Sequence, residues 1–163
     1  MAKYRVIIIM GSSSDEDFTR PICSTLKKLG VTYELRVSSA HKTPYKLLGM
    51  LEEYESSGDR IVYITVAGRS NALSGLVDAN TRYPVIACPP QSEKFGGADI
   101  YSSLRMPSGV APLVVLEPVS AAFAAAKIFA LSNSTIREKV LSHQQGVKNK
   151  VELADEKLRL AGE

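Results

Sequence analysis

The sequence predicts an α/β fold: a three-layer αβα sandwich around a parallel five-stranded sheet, with a C-terminal helical arm. Five short apolar runs alternate with helical patterns, which is the order expected of a parallel sheet covered by helices on both faces. From Asn133 onward only helical patterns remain. With 163 residues, 45% of them hydrophobic and 23% charged, we expect residues 1–163 to form a single domain.

The first predicted strand, Tyr4–Met10, is a short run dominated by β-branched residues. Such runs suit strands that are buried on both faces of a sheet. Four later runs have a similar character and complete the predicted sheet: Thr32–Val37, Arg60–Ala67, Pro84–Pro89 and Ala111–Glu117.

Helical patterns lie between these strands. The first, Asp15–Leu29, is followed by Gly30, a residue type that favours the left-handed conformation after a helix. The second, Thr43–Ser56, begins with an expected threonine cap, and Pro44 occupies its first turn. The third covers Asn71–Thr81. These three segments supply the crossovers that parallel strands require.

The arm, residues 133–163, follows an Ala-rich helix at Ser120–Leu131 that could pack closely on the sheet or on a neighbour. Because crossover helices already cover the sheet, a partner subunit is the simpler explanation of the arm's apolar stripe, and a helix folded back on its own domain is the alternative. His143 is expected to pack or to contact a subunit. The stripe has a spacing of four and seven residues and consists of Ile136, Val140, Val147, Val151 and Leu158.

The net charge of +3 comes from mixed rather than clustered charges. This pattern lacks the basic stripe of a nucleic-acid binder and suits a small anionic ligand. Cys23 and Cys88 have no metal-site or CxxC spacing, so both are predicted to be small buried residues. No signal peptide is apparent, and the apolar runs are far shorter than the ~20 residues of a membrane span, so we expect a cytoplasmic protein.

Ligands of open parallel sheets bind beyond the carboxyl ends of the strands, so the loops at that edge are the candidate site. The first of them begins with Gly11, which permits a tight turn, and continues with Ser12, Ser14 and Asp15. Hydroxyls and backbone N–H groups at a helix start can hold a phosphate. The loop is neither a GxGxxG fingerprint nor a GxxxxGK[ST] loop, which disfavours NAD and ATP. A plain helix cap is the alternative.

The second loop contains His41, one of only two histidines in the chain. Ser39 supplies a hydroxyl, Lys42 a cation, and the following helix its positive end. An imidazole can give or take a proton near neutral pH, so His41 is the candidate proton carrier. An incidental histidine in a surface turn is the alternative.

The third loop, "AGRSNALSG", offers Arg69, Ser70 and Asn71 in a polar strand-to-helix turn, with capping of the next helix as the alternative. The fourth, Cys88–Gly109, is long, and long loops in compact domains tend to be functional. Four loops with serine, glycine and cations at one edge predict a site for a small phosphorylated molecule.

The segments "MGSSSD", "SAHKTP", "AGRSNALSG" and "YSSLRMPSG" resemble the signature segments of the PurE family of purine biosynthesis. The resemblance runs from about Lys3 to Ala130. It implies conversion between 5-aminoimidazole ribonucleotide (AIR) and its 4-carboxylated form (CAIR), without metal, biotin or ATP. It also implies a homo-oligomer, most simply an octamer. The family has two classes, a mutase that moves a carboxyl group from N5 to C4 and a carboxylase that uses carbon dioxide directly.

The resemblance assigns roles to individual residues. Ser12 and Ser14 match phosphate-holding serines, and Asp15 matches an aspartate that binds the ribose hydroxyls. His41 matches the histidine that handles the proton on C4. Ser39 and Lys42 match the family's second phosphate-binding pair, with Ala40 between them, and Gly68 begins the third loop, which borders the reacting carboxylate. In that loop Arg69, Ser70 and Asn71 are candidate substrate-binding residues, and Ser70 and Asn71 are the candidate hydrogen-bond donors to carbon dioxide.

Two departures from the mutase pattern favour the direct carboxylase. The mutase usually has arginine at the position of Lys42. Its third loop usually reads Ala-Gly-Gly-Ala-Ala-His-Leu-Pro-Gly, which places its second histidine at Ala72. The mutase is the alternative within the enzyme class. Outside it, the alternative is a phosphate-binding regulatory module, since flavodoxin-like domains serve many roles.

Overall fold

A computed structural model describes residues 3–161, with every side chain in that range except that of Phe95. The five strands form one parallel sheet in the order β2–β1–β3–β4–β5. Their bounds are Tyr4–Met10 (β1), Thr32–Val37 (β2), Arg60–Val66 (β3), Val85–Ala87 (β4) and Leu113–Val114 (β5). The predicted parallel five-stranded sheet is confirmed.

Within residues 3–161, six α-helices accompany the sheet. Three short 3₁₀ turns, at Ser13–Asp15, Glu93–Phe95 and Ala98–Ile100, lie in the loops that follow β1 and β4. The helix bounds are Glu16–Lys28 (α1), Pro44–Glu55 (α2), Leu73–Asp78 (α3), Tyr101–Leu104 (α4), Pro118–Ala130 (α5) and Ser134–Ala161 (α6).

Alternate side chains of the central strands enter two separate cores, one on each face of the sheet. In β1, Ile8 points into the core shared with α1, α5 and the start of α6. Its neighbours Ile7 and Ile9 point into the core shared with α2 and α3. All three are fully buried. Because a strand with both faces covered needs a continuous apolar sequence, this arrangement confirms the three-layer sandwich.

Proline and capping residues make several elements shorter than predicted. Strand β4 is confined to Val85–Ala87 between prolines on both sides, since proline cannot donate to a strand ladder. Helix α3 begins at Leu73 rather than Asn71, because the Asn71 side-chain oxygen accepts hydrogen bonds from the N–H groups of Leu73 (3.1 Å) and Ser74 (3.3 Å). Gly30 has a φ of +69°, the left-handed conformation predicted for it.

The arm corresponds to α6, and only its first turns pack on the chain's own core. Ile136 and Val140 are buried against α5 and the neighbouring core. The ring of His143 packs on Phe123, with 4.2 Å between their centroids. The rest of the stripe is exposed in this single chain, and it consists of Val147, Val151 and Leu158. The start of α6 is therefore folded back on its own domain, as the alternative interpretation expected. The apolar stripe on the rest of α6 is left exposed, as the partner-subunit interpretation requires.

The two cysteines differ in their surroundings. Cys88 is buried, and burial raises the pKa of its thiol to about 12. Cys23 is half-buried, so the prediction that both are buried holds for Cys88 alone. Across the part of the chain that the structure describes, no helix is long and apolar enough to cross a bilayer.

Candidate active site

The loops that follow β1 to β4 enclose a cavity of about 610 Å³ at the carboxyl edge of the sheet. Parallel order brings these loops together, because all five strands end at the same edge. The lining residues are Gly11, Ser12, Ser14, Asp15, Ser39, Ala40, His41, Lys42, Ala67, Gly68, Arg69, Ser70, Ala72, Leu73, Pro90, Gln91 and Ser92.

The first loop is built on a close approach between β1 and β3. The Gly11 N–H donates to the Val66 carbonyl at 2.9 Å, and a Cβ on Gly11 would lie 3.2 Å from the Cβ of Ala67. Beyond this point the Ser12 hydroxyl accepts hydrogen bonds from the Ser14 N–H at 3.2 Å and the Ser14 hydroxyl at 2.9 Å. The turn thus presents the Ser12 proton and the start of α1 to the cavity, which suits an anion.

Asp15 is the acidic residue of the cavity wall. Burial raises the pKa of its carboxyl group, while a backbone hydrogen bond from Ser12 and the positive charge of Arg69 act in the opposite direction. The positive charge of Arg69, on the third loop, therefore stabilises the negative charge of Asp15, on the first loop. A partly desolvated carboxylate is an acceptor suited to ligand hydroxyl groups and unsuited to a phosphate.

The second loop is a tight turn closed by Thr43. The Thr43 hydroxyl accepts a hydrogen bond from the Ser39 N–H at 3.0 Å, and the Ser39 hydroxyl accepts one from the Lys42 N–H at 3.2 Å. Thr43 makes no side-chain cap on α2, contrary to the prediction, because its oxygen is engaged by Ser39. The turn leaves His41 exposed at its tip, on the wall of the cavity.

The imidazole of His41 makes no hydrogen bond to any group in residues 3–161. Its neighbours along the loop, Ser39 and Lys42, line the same cavity. A titratable ring thus stands beside groups that suit an anion, without a protein partner that would fix its proton. This arrangement leaves both ring nitrogens available to a ligand.

The third loop approaches the fourth so closely that glycine is needed at one position. A Cβ on Gly68 would lie only 3.0 Å from the backbone oxygen of Pro90. The next residue, Arg69, has a φ of +60°, although it is not a glycine. Ser70 lines the cavity and is exposed. This loop therefore contributes a backbone wall and one cationic side chain.

Asn71 is the one predicted site residue that does not line the cavity. It is 4% exposed, and its side chain caps α3 and donates to the Ser103 hydroxyl at 2.9 Å. Its amide is therefore used to join the third loop to the fourth. The capping alternative that the sequence offered for this loop describes Asn71 well.

Sequence reasoning assigned no binding or catalytic role to six lining residues, three in the third loop and three in the fourth; among them, Ala72 was named only as the position of the mutase's second histidine. The long fourth loop was expected to be functional, but no residue in it could be chosen, because its serines, prolines and glycines are spread over more than twenty positions. For the fourth loop the available signal was the Pro-Pro-Gln sequence one residue after β4, since it stands where a strand ends at the site edge. The six residues are Ala67, Ala72, Leu73, Pro90, Gln91 and Ser92.

Among residues 3–161, no group of three or more His, Cys, Asp or Glu side chains is placed to hold a metal ion. The polar groups of the cavity are hydroxyls, backbone amides, one carboxylate, one imidazole and two cations, on Lys42 and Arg69, together with the Gln91 amide. This set can bind an anion and hydroxyl groups and can move one proton.

A family model described as AIR carboxylase matches residues 5–150. An Archaeoglobus fulgidus protein named phosphoribosylaminoimidazole carboxylase is 56% identical over 155 residues, which cover 95% of this chain and 85% of that protein. A Treponema denticola protein of the same name is 51% identical over 154 residues, covering 94% of this chain and 97% of that protein.

The fold comparison agrees with the sequence comparison. The crystal structure of Treponema denticola PurE superposes with a TM-score of 0.94 and 51% identity, covering 96% of this chain and 99% of that one. A human protein named bifunctional phosphoribosylaminoimidazole carboxylase/phosphoribosylaminoimidazole succinocarboxamide synthetase is 42% identical over 155 residues. Those residues are 95% of this chain but 36% of the human protein.

Proposed function

Because this chain belongs to the AIR carboxylase family, we propose that its cavity binds AIR and that carbon dioxide carboxylates the ribonucleotide directly at C4. The protein is a carboxy-lyase of purine biosynthesis. The product is CAIR, and the reaction is reversible.

One observation carries the choice of carbon dioxide over the N5-carboxylated isomer. Ala72 lines the cavity, and the mutase's second histidine aligns with this position. The cavity wall thus has a methyl group where a mutase has a second imidazole. Lys42, at a position where the mutase usually has arginine, also lines the cavity and supports the same choice.

The substrate's phosphate binds between the first and second loops. The first loop contributes the hydroxyls of Ser12 and Ser14 and the start of α1. The second loop contributes the hydroxyl of Ser39 and the cation of Lys42. Two helix N-termini point at the same region, which favours an anion there. Ala40, between Ser39 and His41, lines the same wall.

Asp15 accepts hydrogen bonds from the ribose hydroxyls, one step along the ligand from the phosphate. Its carboxylate is unsuited to the phosphate itself, because two negative charges would repel each other. Anchoring both phosphate and ribose fixes the position of the aminoimidazole ring, and this remote binding energy is available to orient C4.

The amino group of AIR makes C4 an enamine-like nucleophile. In the forward direction the C4 electron pair forms a bond to the carbon of carbon dioxide, which leaves C4 bearing both its hydrogen and the new carboxylate. His41 then takes that hydrogen as a proton, and the C–H electron pair returns to the ring and restores its aromaticity. In the reverse direction the imidazolium returns the proton to C4.

Carbon dioxide is small and uncharged, so its place needs hydrogen-bond donors more than a cation. Ser70 lines the cavity on the third loop and can donate its hydroxyl. Asn71 does not serve this purpose directly, because its amide is engaged by Ser103 and α3. Gly68 and Arg69 line the cavity beside Ser70. We call this part of the cavity, formed by Gly68, Arg69 and Ser70, its reacting end.

We further propose that the protein is a cytoplasmic homo-oligomer of single-domain subunits, an octamer as the family resemblance suggests. The exposed part of the stripe on α6 supports an interface, since Val147, Val151 and Leu158 are 50%, 67% and 75% exposed in the single chain. Light scattering at micromolar concentration measures the subunit number, and a monomer would contradict this proposal.

The role of His41 is tested by the His41→Asn variant, which keeps hydrogen-bonding capacity and removes the titratable ring. We expect kcat for AIR carboxylation to fall by roughly 10²–10⁴, the usual contribution of a general base, with KM for AIR changed little. CAIR decarboxylation in D₂O should slow equally, because the same group returns the hydrogen to C4. A loss below tenfold would make His41 an incidental turn residue.

A further inference from the structure

Arg69 has a backbone conformation that its residue type disfavours. Among the residues that the structure describes, it is the one non-glycine residue with a positive φ, at +60°. Side chains with a Cβ are crowded in this left-handed region and stay there only when their surroundings hold them.

Two side chains from one segment of the fourth loop hold both peptide groups of Arg69. Its N–H donates to the Asp99 carboxylate oxygen Oδ2 at 3.2 Å. Its carbonyl oxygen lies 3.0 Å from the Ser102 hydroxyl, which also lies 2.7 Å from the carbonyl of Asp99, so one proton serves both carbonyls. Asp99 and Ser102 thus hold Arg69 on both sides of its Cα.

The same segment also holds the residue that ends the turn. The Ser102 hydroxyl accepts a hydrogen bond from the Asn71 N–H at 2.9 Å, and the Asn71 side-chain amide donates to the Ser103 hydroxyl at 2.9 Å. Asn71 and Ser103 are buried. The turn from Arg69 to Asn71 is therefore fixed by a short stretch more than twenty-five residues further along the chain.

We propose that Asp99 and Ser102 are positioning residues, which hold Arg69 in its left-handed conformation and so orient Arg69 and Ser70 towards the reacting end of the cavity. Neither of the two lines the large cavity. Asp99 instead lines an adjoining cavity of about 210 Å³, which shares Gly68 and Pro90 with the large one. Both residues therefore act through the third loop, and this inference rests on the proposed function of that cavity.

The placement of the Arg69 charge agrees with this role. The Arg69 guanidinium lowers the pKa of the Asp15 carboxyl across the cavity, against the effect of burial. Without the hydrogen bonds to Asp99 and Ser102, Arg69 could adopt an ordinary negative φ. The side chains of Arg69 and Ser70 would then turn away from the cavity. The phosphate-binding loops would be left in place.

The experiment compares removal of each hydrogen-bonding group with its conservative replacement. Asp99→Ala and Ser102→Ala remove the side-chain oxygens that hold Arg69. Asp99→Asn keeps a carbonyl oxygen at position 99, and Ser102→Thr keeps a hydroxyl group at position 102. Ser108→Ala, an exposed serine in the same loop, is the matched control. Initial rates with AIR and carbon dioxide give kcat and KM, and hydrogen exchange of the peptide covering residues 67–72 reports the loop itself.

We expect both alanine variants to lower kcat by about tenfold to a hundredfold, as a misplacement of roughly 1 Å does, with a smaller change in KM for AIR. Exchange of residues 67–72 should accelerate in the same variants. The Asn and Thr variants should stay within about threefold of the wild type, because either side chain keeps an oxygen in place. The Ser108→Ala control should match the wild type in both measurements.

Wild-type kcat and exchange in Asp99→Ala and Ser102→Ala would overturn the inference. So would an Asp99→Asn variant as impaired as Asp99→Ala, because the carboxylate charge rather than its hydrogen bond would then matter. If Ser102→Ala does not fold, the comparison of Asp99→Ala with Asp99→Asn tests the inference by itself. Inactivity of the wild-type protein itself would refute the proposed function, while the exchange measurement would still test the positioning of the loop.

Discussion

Gly68 is the narrowest point between the third and fourth loops, so we expect Gly68→Ala to damage both stability and activity. The new Cβ would lie 3.0 Å from the Pro90 backbone oxygen, whereas ordinary contacts begin near 3.4 Å. The loops must therefore separate by about 0.4 Å or more, because a backbone oxygen cannot swing aside as the end of a side chain can. The φ of Gly68 is not positive, so the cost is one of space alone.

The magnitude follows from the cost of overpacking. Inserting a methyl group where the surroundings cannot yield typically costs about 1–3 kcal/mol. For a chain of 163 residues, each kcal/mol lowers Tm by roughly 2–4 °C. Since Gly68 and Pro90 both line the cavity, kcat should fall as well, by about tenfold or more, because the reacting end of the cavity changes shape.

Gly49→Ala is the matched control, because it adds the same methyl group where there is room for it. Gly49 lies inside α2, and a Cβ there would meet nothing within 4 Å. Alanine favours a helix interior over glycine by about 1 kcal/mol, so this variant should unfold at a higher temperature. Thermal unfolding by circular dichroism and initial rates measure both variants. If Gly68→Ala kept the Tm and kcat of the wild type, the third and fourth loops could separate without cost, and the prediction would be wrong.

Two further predictions concern the substrate-binding wall. Ser39→Ala and Lys42→Ala should each raise KM for AIR more than they lower kcat, because they act on the phosphate, far from C4; an unchanged KM in both would place the phosphate elsewhere. Asp15→Asn should raise KM for AIR yet stabilise the fold at neutral pH, because burial raises the pKa of the Asp15 carboxyl in the folded state. Because this pKa is raised, the stability of the wild type falls as the pH rises above the ordinary carboxyl pKa of about 4. The gain in Tm of Asp15→Asn over the wild type should therefore be present at pH 7 and vanish below about pH 4. Asp17→Asn, an exposed neighbour, should show neither effect.

The central strands could be predicted closely, because a long buried strand needs an uninterrupted apolar sequence. The predicted bounds of β1 match the structure, and those of β3 differ by one residue. The short edge strand β5 was overestimated, since its length depends on pairing with β4 rather than on its own composition. Apolar content alone does not reveal how many residues a neighbouring strand can pair.

The lining of the cavity was predictable where residue types alone indicate chemistry, since His41 and Lys42 both line it. It was not predictable where tertiary contacts decide. Asn71 is a polar residue in a site loop, yet contacts with Ser103 turn it into the core. The left-handed conformation of Arg69 has no local sequence signal, because it depends on Asp99, which is remote in sequence.

The central claim is that this protein takes its carboxyl group from carbon dioxide. It is tested by giving the purified protein AIR with dissolved carbon dioxide in one reaction, and the N5-carboxylated isomer in carbon dioxide-depleted buffer in another. The His41→Asn variant, measured in both reactions, serves as the control for background carboxylation.

The proposed function predicts rapid, saturable formation of CAIR in the first reaction and little turnover in the second. The wall at Ala72 is the reason, because it lacks the second imidazole of the mutase pattern. Faster conversion of the isomer, together with feeble use of carbon dioxide, would contradict the account and identify the protein as a mutase.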